Sequence, residues 1–161
     1  GQTFGLRNCG YRAIESLRLE KGYRAWGADI TADTTPYEAG LGFAVKDHNA
    51  IPFVGGAALL RQRARPLLKR LAGFSITDKD VVLLGRESIL RNEEQAGWLS
   101  SGGYGHSLGC GIGYGYVRNA EGVDRDYLMD GSYELEVSGQ RVPATIHLGP
   151  LYDPTGRKLR C

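Results

Sequence analysis

The sequence has few cysteines, few prolines and no long apolar run, and each shortage excludes a class of protein. Its three cysteines, Cys9, Cys110 and Cys161, are odd in number and far apart. They indicate no disulfide framework, so we expect a reducing compartment. The longest aliphatic run, residues 81–84, is too short to cross a bilayer as a helix. With six prolines and no Gly-X-Y period, a collagen-like chain is excluded.

Net charge is also low. The formal value of +2 predicts neither a nucleic-acid partner nor a membrane partner. One basic cluster stands out, and aromatic residues do not interleave it, so it is more typical of a solvated helix end than of a phosphate site. Its members are Arg61, Arg63, Arg65, Lys69 and Arg70.

The chain begins at Gly1 without an initiator methionine, signal peptide or transit peptide. Residues 1–5 resemble sequence from the middle of a domain. We therefore expect the chain to be a piece of a longer protein.

Glycine is abundant, with 24 among 161 residues, about twice the usual share of roughly 7%. This excess suggests many turns between short strands. Seven extended segments follow Pro66 and predict an antiparallel barrel or sandwich, with a domain boundary near that proline. They are residues 68–74, 81–84, 88–91, 95–100, 111–117, 133–137 and 140–146.

The part before Pro66 has a different pattern. Residues 10–22 and 56–65 predict helices, and residues 43–46 predict a strand. Thr35, Pro36 and Glu38 have the spacing of a capping box and predict the start of a short helix.

The segment around Ser107 matches the G-x-S-x-G nucleophile elbow of esterases, and Asp130 and His147 follow in hydrolase order. An elbow needs a helix after the serine. The Gly- and Tyr-rich residues 111–117 predict a strand instead, so we predict no catalytic triad. The glycines nearby fit neither a dinucleotide fingerprint nor a phosphate loop.

Histidine and cysteine spacing also argues against a reactive centre. His48, His106 and His147 are too far apart in sequence to suggest a metal site. Cys110 lies near His106, but a buried strand thiol is a more common finding than a Cys–His dyad. We therefore predict no catalytic and no metal-binding residue in this chain.

Residues 10–42 combine aromatic and charged side chains closely. A planar, polar ligand needs stacking faces and fixed charges, and Arg18, Glu20, Tyr23 and Trp26 supply both. On chemistry alone, an amphipathic helix with core aromatics accounts for the same residues and is favoured.

Several segments together resemble the glycine-cleavage aminomethyltransferase (T-protein) family, and especially the folate domain of sarcosine and dimethylglycine dehydrogenases. The resemblance covers nearly the whole chain. The segments that carry it are residues 16–20, 23–27, 35–41, 52–55, 101–117 and 151–154.

The resemblance implies an α+β fold. Residues 1–66 would form the C-terminal portion of an aminomethyltransferase-type folate-binding domain, and residues 67–161 an antiparallel β-barrel. It further implies a parent enzyme in which a flavin (FAD) half oxidises an N-methyl amine and tetrahydrofolate receives the one-carbon unit. FAD and the family's catalytic Asp and pterin-binding Glu would lie in the N-terminal remainder of the parent chain, so we expect this piece alone to be inactive.

The same resemblance assigns folate-side residues. Tyr23 corresponds to an aromatic residue near folate, Arg18 and Glu20 lie in the R-L-E motif, and Trp26 completes the candidate set. One difference stands out: Ile14 occupies the position of an arginine that contacts folate in glycine-cleavage members.

Two other functions remain open. The chain could belong to a non-catalytic regulatory protein resembling the pyruvate dehydrogenase phosphatase regulatory subunit, or its barrel could act as an interaction module. For the enzyme, we expect a bacterial cytoplasmic or a mitochondrial matrix location, with folate and the remainder of the parent chain as partners.

Overall fold

Six antiparallel strands close into a barrel in the computed structural model, which describes residues 1–46 and 52–160. Around the barrel the strands lie in the order β1-β4-β3-β2-β5-β6. This confirms the predicted antiparallel barrel. The strands are β1 (Lys69–Ile76), β2 (Ser88–Arg91), β3 (Glu94–Gly105), β4 (Cys110–Arg118), β5 (Tyr133–Val137) and β6 (Gln140–His147).

Two tight hairpins set the register of four strands. Asn92 and Glu93 connect β2 to β3, and Ser138 and Gly139 connect β5 to β6, all four with positive φ. Two successive left-handed residues form the type I′ turn, whose twist matches that of the paired strands.

The interior of the barrel is filled because β4 turns glycines inward. A β-carbon on Gly111 would lie 2.7 Å from the Ile76 side chain, and one on Gly113 would overlap Leu99. The space thus goes to large side chains from neighbouring strands, and Phe74, Ile76 and Leu99 are fully buried in the core. The outward residues of β4 form a second cluster with Leu19.

Within the described residues three α-helices accompany the barrel: α1 (Tyr11–Lys21), α2 (Gly56–Arg63) and α3 (Arg125–Met129). The first two confirm the predicted helices at 10–22 and 56–65. α3 was not predicted, although Asp124 caps it by accepting a hydrogen bond from the Tyr127 amide at 2.7 Å. Among the described residues, no helix has the length and apolar character to cross a membrane.

Three predicted elements differ from the structure. Residues 43–46 form no strand; a 3₁₀ turn, Gly42–Ala44, occupies part of that segment. Residues 81–84 lie outside the sheet, yet Leu83 is buried against the barrel core. At Thr35 the capping box forms, with the Thr35 amide donating to Glu38 and the Glu38 amide to Thr35, but only a turn follows.

Candidate functional site

Helix α1 lies against the outer face of the barrel and carries two of the four candidate folate residues, Arg18 and Glu20. It ends at Gly22, whose φ of 70° lets its amide donate to the carbonyls of Arg18 and Leu19. Leu19 packs into the outer cluster with Leu71 and Tyr114, while Ile14 and Leu17 stay exposed on the opposite face. The helix thus presents apolar side chains on both sides, and only one side is covered by the barrel.

A cavity of about 450 Å³ lies beside the C-terminal half of α1. Residues from the helix form one wall, and residues from the C-terminal segment (residues 150–160) form the other. The lining residues are Ile14, Leu17, Arg18, Glu20, Lys21, Tyr23, Ser107, Tyr152, Asp153, Lys158 and Leu159.

The cavity brings together three of the four candidate folate residues. Arg18, Glu20 and Tyr23 all line it, and Tyr23 is 60% exposed. Trp26, 74% exposed, lies on a turn closed by the Gly27 amide donating to the Ile30 carbonyl, and it is not part of the lining. Ile14 also lies in the wall and makes it more apolar.

Arg18 is held in a buried polar network around Asp29, which is 1% exposed. The Arg18 guanidinium donates to Asp29 at 2.7 Å and to the Ser101 hydroxyl at 3.0 Å. The other Asp29 oxygen accepts from the hydroxyls of Ser100 and Ser101. The Ala25 amide donates at 2.9 Å to the same Asp29 oxygen as Arg18. Four donors therefore satisfy one carboxylate, which makes its burial tolerable.

Glu15 shares the guanidinium from the other side. Arg18 donates to Glu15 at 2.9 and 2.8 Å, and this hydrogen bond lowers the pKa of the Glu15 carboxyl. With its fork engaged by two carboxylates, Arg18 fixes the helix to the barrel. Sequence reasoning missed Asp29 because it stands 11 residues from Arg18, outside any helical spacing.

Glu20 is a carboxylate at the floor of the cavity, 2% exposed. One of its oxygens accepts the Ser107 amide at 2.6 Å. Within the described part of the chain no cation pairs with it. Its remaining acceptor capacity is available to a ligand with N–H groups.

Ser107 does not form a nucleophile elbow. Strand β4 follows it after a turn, as predicted, and the ring of His147 is hydrogen-bonded to the Ser75 hydroxyl at 2.8 Å. Burial raises the pKa of the Cys110 thiol and the nearby Glu20 charge adds to the effect, so the unreactive thiol is favoured.

No group of three potential metal ligands occurs among residues 1–46 and 52–160. Of the histidines considered for a metal site, His48 lies outside the described residues, as does Cys161. Of the basic cluster, Arg61 and Arg63 lie in the exposed last turn of α2, as expected for a solvated helix end, whereas Lys69 and Arg70 lie half-buried in β1.

Comparison with known proteins gives two family matches. The family described as glycine cleavage T-protein C-terminal barrel domain matches residues 69–153, and the GCVT N-terminal domain matches residues 1–49.

Individual relatives agree with these matches. Human mitochondrial sarcosine dehydrogenase is 41% identical over 99% of this chain, and the mouse mitochondrial pyruvate dehydrogenase phosphatase regulatory subunit is 38% identical over 94%. The chain spans 18% of the length of each. The crystal structure of the glycine cleavage system aminomethyltransferase T from Bartonella henselae superposes with a TM-score of 0.73 at 29% identity, covering 88% of this chain and 38% of that one.

Proposed function

Because the chain belongs to the glycine cleavage T-protein family, we propose that it forms the folate-side portion of an oxidative N-demethylase of the sarcosine or dimethylglycine dehydrogenase kind. The observation that carries this proposal is the shared cavity. Arg18, Glu20 and Tyr23, three of the four candidate folate residues, line one space beside α1.

The lining fits a planar ligand with polar edges. Tyr23 offers an aromatic face, Ile14 and Leu17 offer apolar contact, and Glu20 offers a buried acceptor. Tetrahydrofolate, when bound, would be the acceptor of the one-carbon unit. The chain's own residues would bind and orient it and exclude water, with Arg18 positioning the helix and Trp26 contributing from the adjoining turn.

The rest of the parent chain would complete the site. Ile14, Leu17 and Tyr23 remain exposed on the uncovered side of α1, where an upstream part of the protein would pack. FAD and the catalytic carboxylate would belong to that part. The 161-residue chain alone should therefore be inactive and bind tetrahydrofolate weakly or not at all. In a eukaryote this parent would work in the mitochondrial matrix, and in a bacterium in the cytoplasm.

The test is Tyr23→Ala in the full reading frame that contains this chain. Losing one stacking face costs about 1 kcal/mol beyond buried area, so tetrahydrofolate affinity should fall several-fold. Amine oxidation should persist while methylene-tetrahydrofolate yield falls and free formaldehyde rises. Product partition and calorimetric affinity are the measurements.

Tyr11→Ala is the matched control, because Tyr11 is an exposed tyrosine at the start of α1 and lies outside the cavity lining. If Tyr23→Ala changes neither affinity nor product partition, Tyr23 is a packing residue and the site assignment is wrong.

A second function is favoured by the similarity to the phosphatase regulatory subunit. Under that alternative the full reading frame would lack amine oxidation altogether while retaining the same fold. An assay of the full-length protein with sarcosine and dimethylglycine distinguishes the two.

A further inference from the structure

The C-terminal segment, residues 150–160, forms the second wall of the cavity without joining the sheet. It follows β6 and contains no strand residue. Tyr152, Asp153, Lys158 and Leu159 line the cavity opposite α1. Residues 154–160 also lie beyond the part of the chain that matches the family's barrel domain.

Polar contacts hold this segment to α1 at two places. The Tyr152 amide donates to the Glu20 carbonyl at 2.9 Å. The Lys21 ammonium donates to the Asp153 carbonyl oxygen at 2.7 Å and lies 3.2 Å from the Asp153 carboxylate. Both contacts come from the last turn of the helix, next to the cavity.

Asp153 also organises the residues that follow it. Its carboxylate accepts the amides of Arg157 at 2.9 Å and Lys158 at 3.3 Å, and its carbonyl accepts the Gly156 amide at 3.0 Å. These bonds hold the start of the 3₁₀ turn Arg157–Leu159 in place. Held in this position, the turn places Lys158 and Leu159 in the lining of the cavity.

The charges near this anchor are complementary. Burial disfavours ionisation of Asp153, but hydrogen bonds from Lys21 and from the Arg157 and Lys158 amides outweigh it and lower its pKa. The Lys158 ammonium donates to the Tyr152 hydroxyl at 2.8 Å and lies 4.5 Å from that ring's centre. Since an ammonium has three donors, Lys158 can still bind an anionic group.

We propose that Asp153 is a positioning residue whose contacts with Lys21 hold the C-terminal segment as the second wall of the cavity. In that position Tyr152 supplies a ring face and Lys158 a positive charge to a planar ligand that carries an anionic group. The identity of that ligand as tetrahydrofolate rests on the proposed function; the role of Asp153 does not.

The first experiment measures the segment itself, by hydrogen exchange of residues 152–160 in the 161-residue chain. Asp153→Asn keeps the size of the side chain and tolerates the positive φ of 45°. It should speed exchange there at least several-fold, and Lys21→Met should do so to a smaller extent. Because both remove the contact between Lys21 and the Asp153 carboxylate, the effect of the double variant should be smaller than the sum of the two single effects.

Asp78→Asn is the control, since Asp78 lies in an exposed loop after β1 and should leave exchange in residues 152–160 unchanged. Unchanged exchange in Asp153→Asn would overturn the anchoring role.

The second experiment measures ligand binding with two probes. In the full reading frame, Asp153→Asn should lower the affinity for tetrahydrofolate several-fold. In the 161-residue chain the same variant should lower the affinity for an anionic aromatic dye, anilinonaphthalene sulfonate. Lys158→Met should also lower the affinity for the dye, but without changing hydrogen exchange before residue 157.

The outcomes separate the two proposals. Faster exchange with unchanged binding of both probes would contradict the proposed role of the C-terminal segment as a wall of the ligand site. If the wild-type full-length protein binds no tetrahydrofolate while dye binding depends on Asp153, the proposed function fails and the wall stands.

Discussion

His147 is a side chain whose protonation opposes folding. Its ring is half-buried at the β1–β6 pairing and bonded to the Ser75 hydroxyl at 2.8 Å. Burial lowers the pKa of His147 below its ordinary value of 6.5, because the charged ring loses hydration that the barrel does not replace. The folded chain therefore binds this proton less readily than the unfolded chain.

This lowered pKa predicts a loss of stability on acidification. Well above pH 6.5 the ring is neutral in both states. As pH falls through 6.5 toward the lower folded-state pKa, the unfolded chain takes up the proton first and the free energy of unfolding declines. In His147→Gln that decline between pH 7 and 5.5 should be smaller. Urea titrations at several pH values measure it.

His106→Gln, at the exposed β3–β4 turn, is the control and should retain the wild-type pH dependence. A His147→Gln variant with the same pH dependence as the wild-type chain would contradict the assignment.

At the level of elements, the β2–β3 hairpin carries a residue poorly suited to its conformation. Glu93 has a φ of 72°. In this left-handed conformation the β-carbon of an L-residue is crowded, at a cost of about 1–2 kcal/mol. Asn92 before it is well suited to a type I′ turn, and glycine is the preferred second residue. The hairpin is thus held by the pairing of β2 with β3 and β5 rather than by its turn alone.

Glu93→Gly should therefore stabilise the chain. Relief of the left-handed strain outweighs the extra freedom of glycine in the unfolded state, for a net gain of about 0.5–1 kcal/mol. The midpoint of urea unfolding should rise. Glu94→Gly, one residue into β3, is the matched control and should destabilise by a similar amount, roughly 0.5–1 kcal/mol. A lower midpoint for Glu93→Gly would contradict the inferred backbone strain at Glu93.

At the scale of the whole molecule, Asp29 links the first part of the chain to the barrel. It receives donors from α1, from its own loop and from β3, and its carbonyl accepts the Tyr116 hydroxyl of β4 at 2.7 Å. The candidate site depends on this link, because Arg18 and the helix wall are positioned through it.

Asp29→Ala should be strongly destabilising. It would remove one of the two carboxylate partners of Arg18 and the acceptor of the Ser101 hydroxyl. Breaking a buried charged pair costs about 3–5 kcal/mol. Urea unfolding followed by tryptophan fluorescence provides the free energy. Asp33→Ala, at an exposed aspartate four residues on, should change it little. Equal effects of the two substitutions would show that the network contributes no specific stability.

Local features of the fold were determined by the sequence itself. β2 and β5 lie where the extended segments at 88–91 and 133–137 were predicted, and the turn at Ser138 and Gly139 joins β5 to β6. The capping box at Thr35 also formed. These features depend on residues within a few positions of one another, so alternation and turn chemistry are sufficient to find them. The combined motifs likewise identified the family.

The tertiary structure alone decided which polar groups meet. Glu20 and Ser107 are 87 positions apart, and Lys21 and Asp153 are 132 apart, so neither pair follows from local spacing. Residues 81–84 have a strand-like composition but bury Leu83 as a loop, because the closed barrel leaves them no pairing partner. Closure of six strands, and the cavity between α1 and the C-terminal segment, arise from long-range packing that no short stretch of sequence encodes.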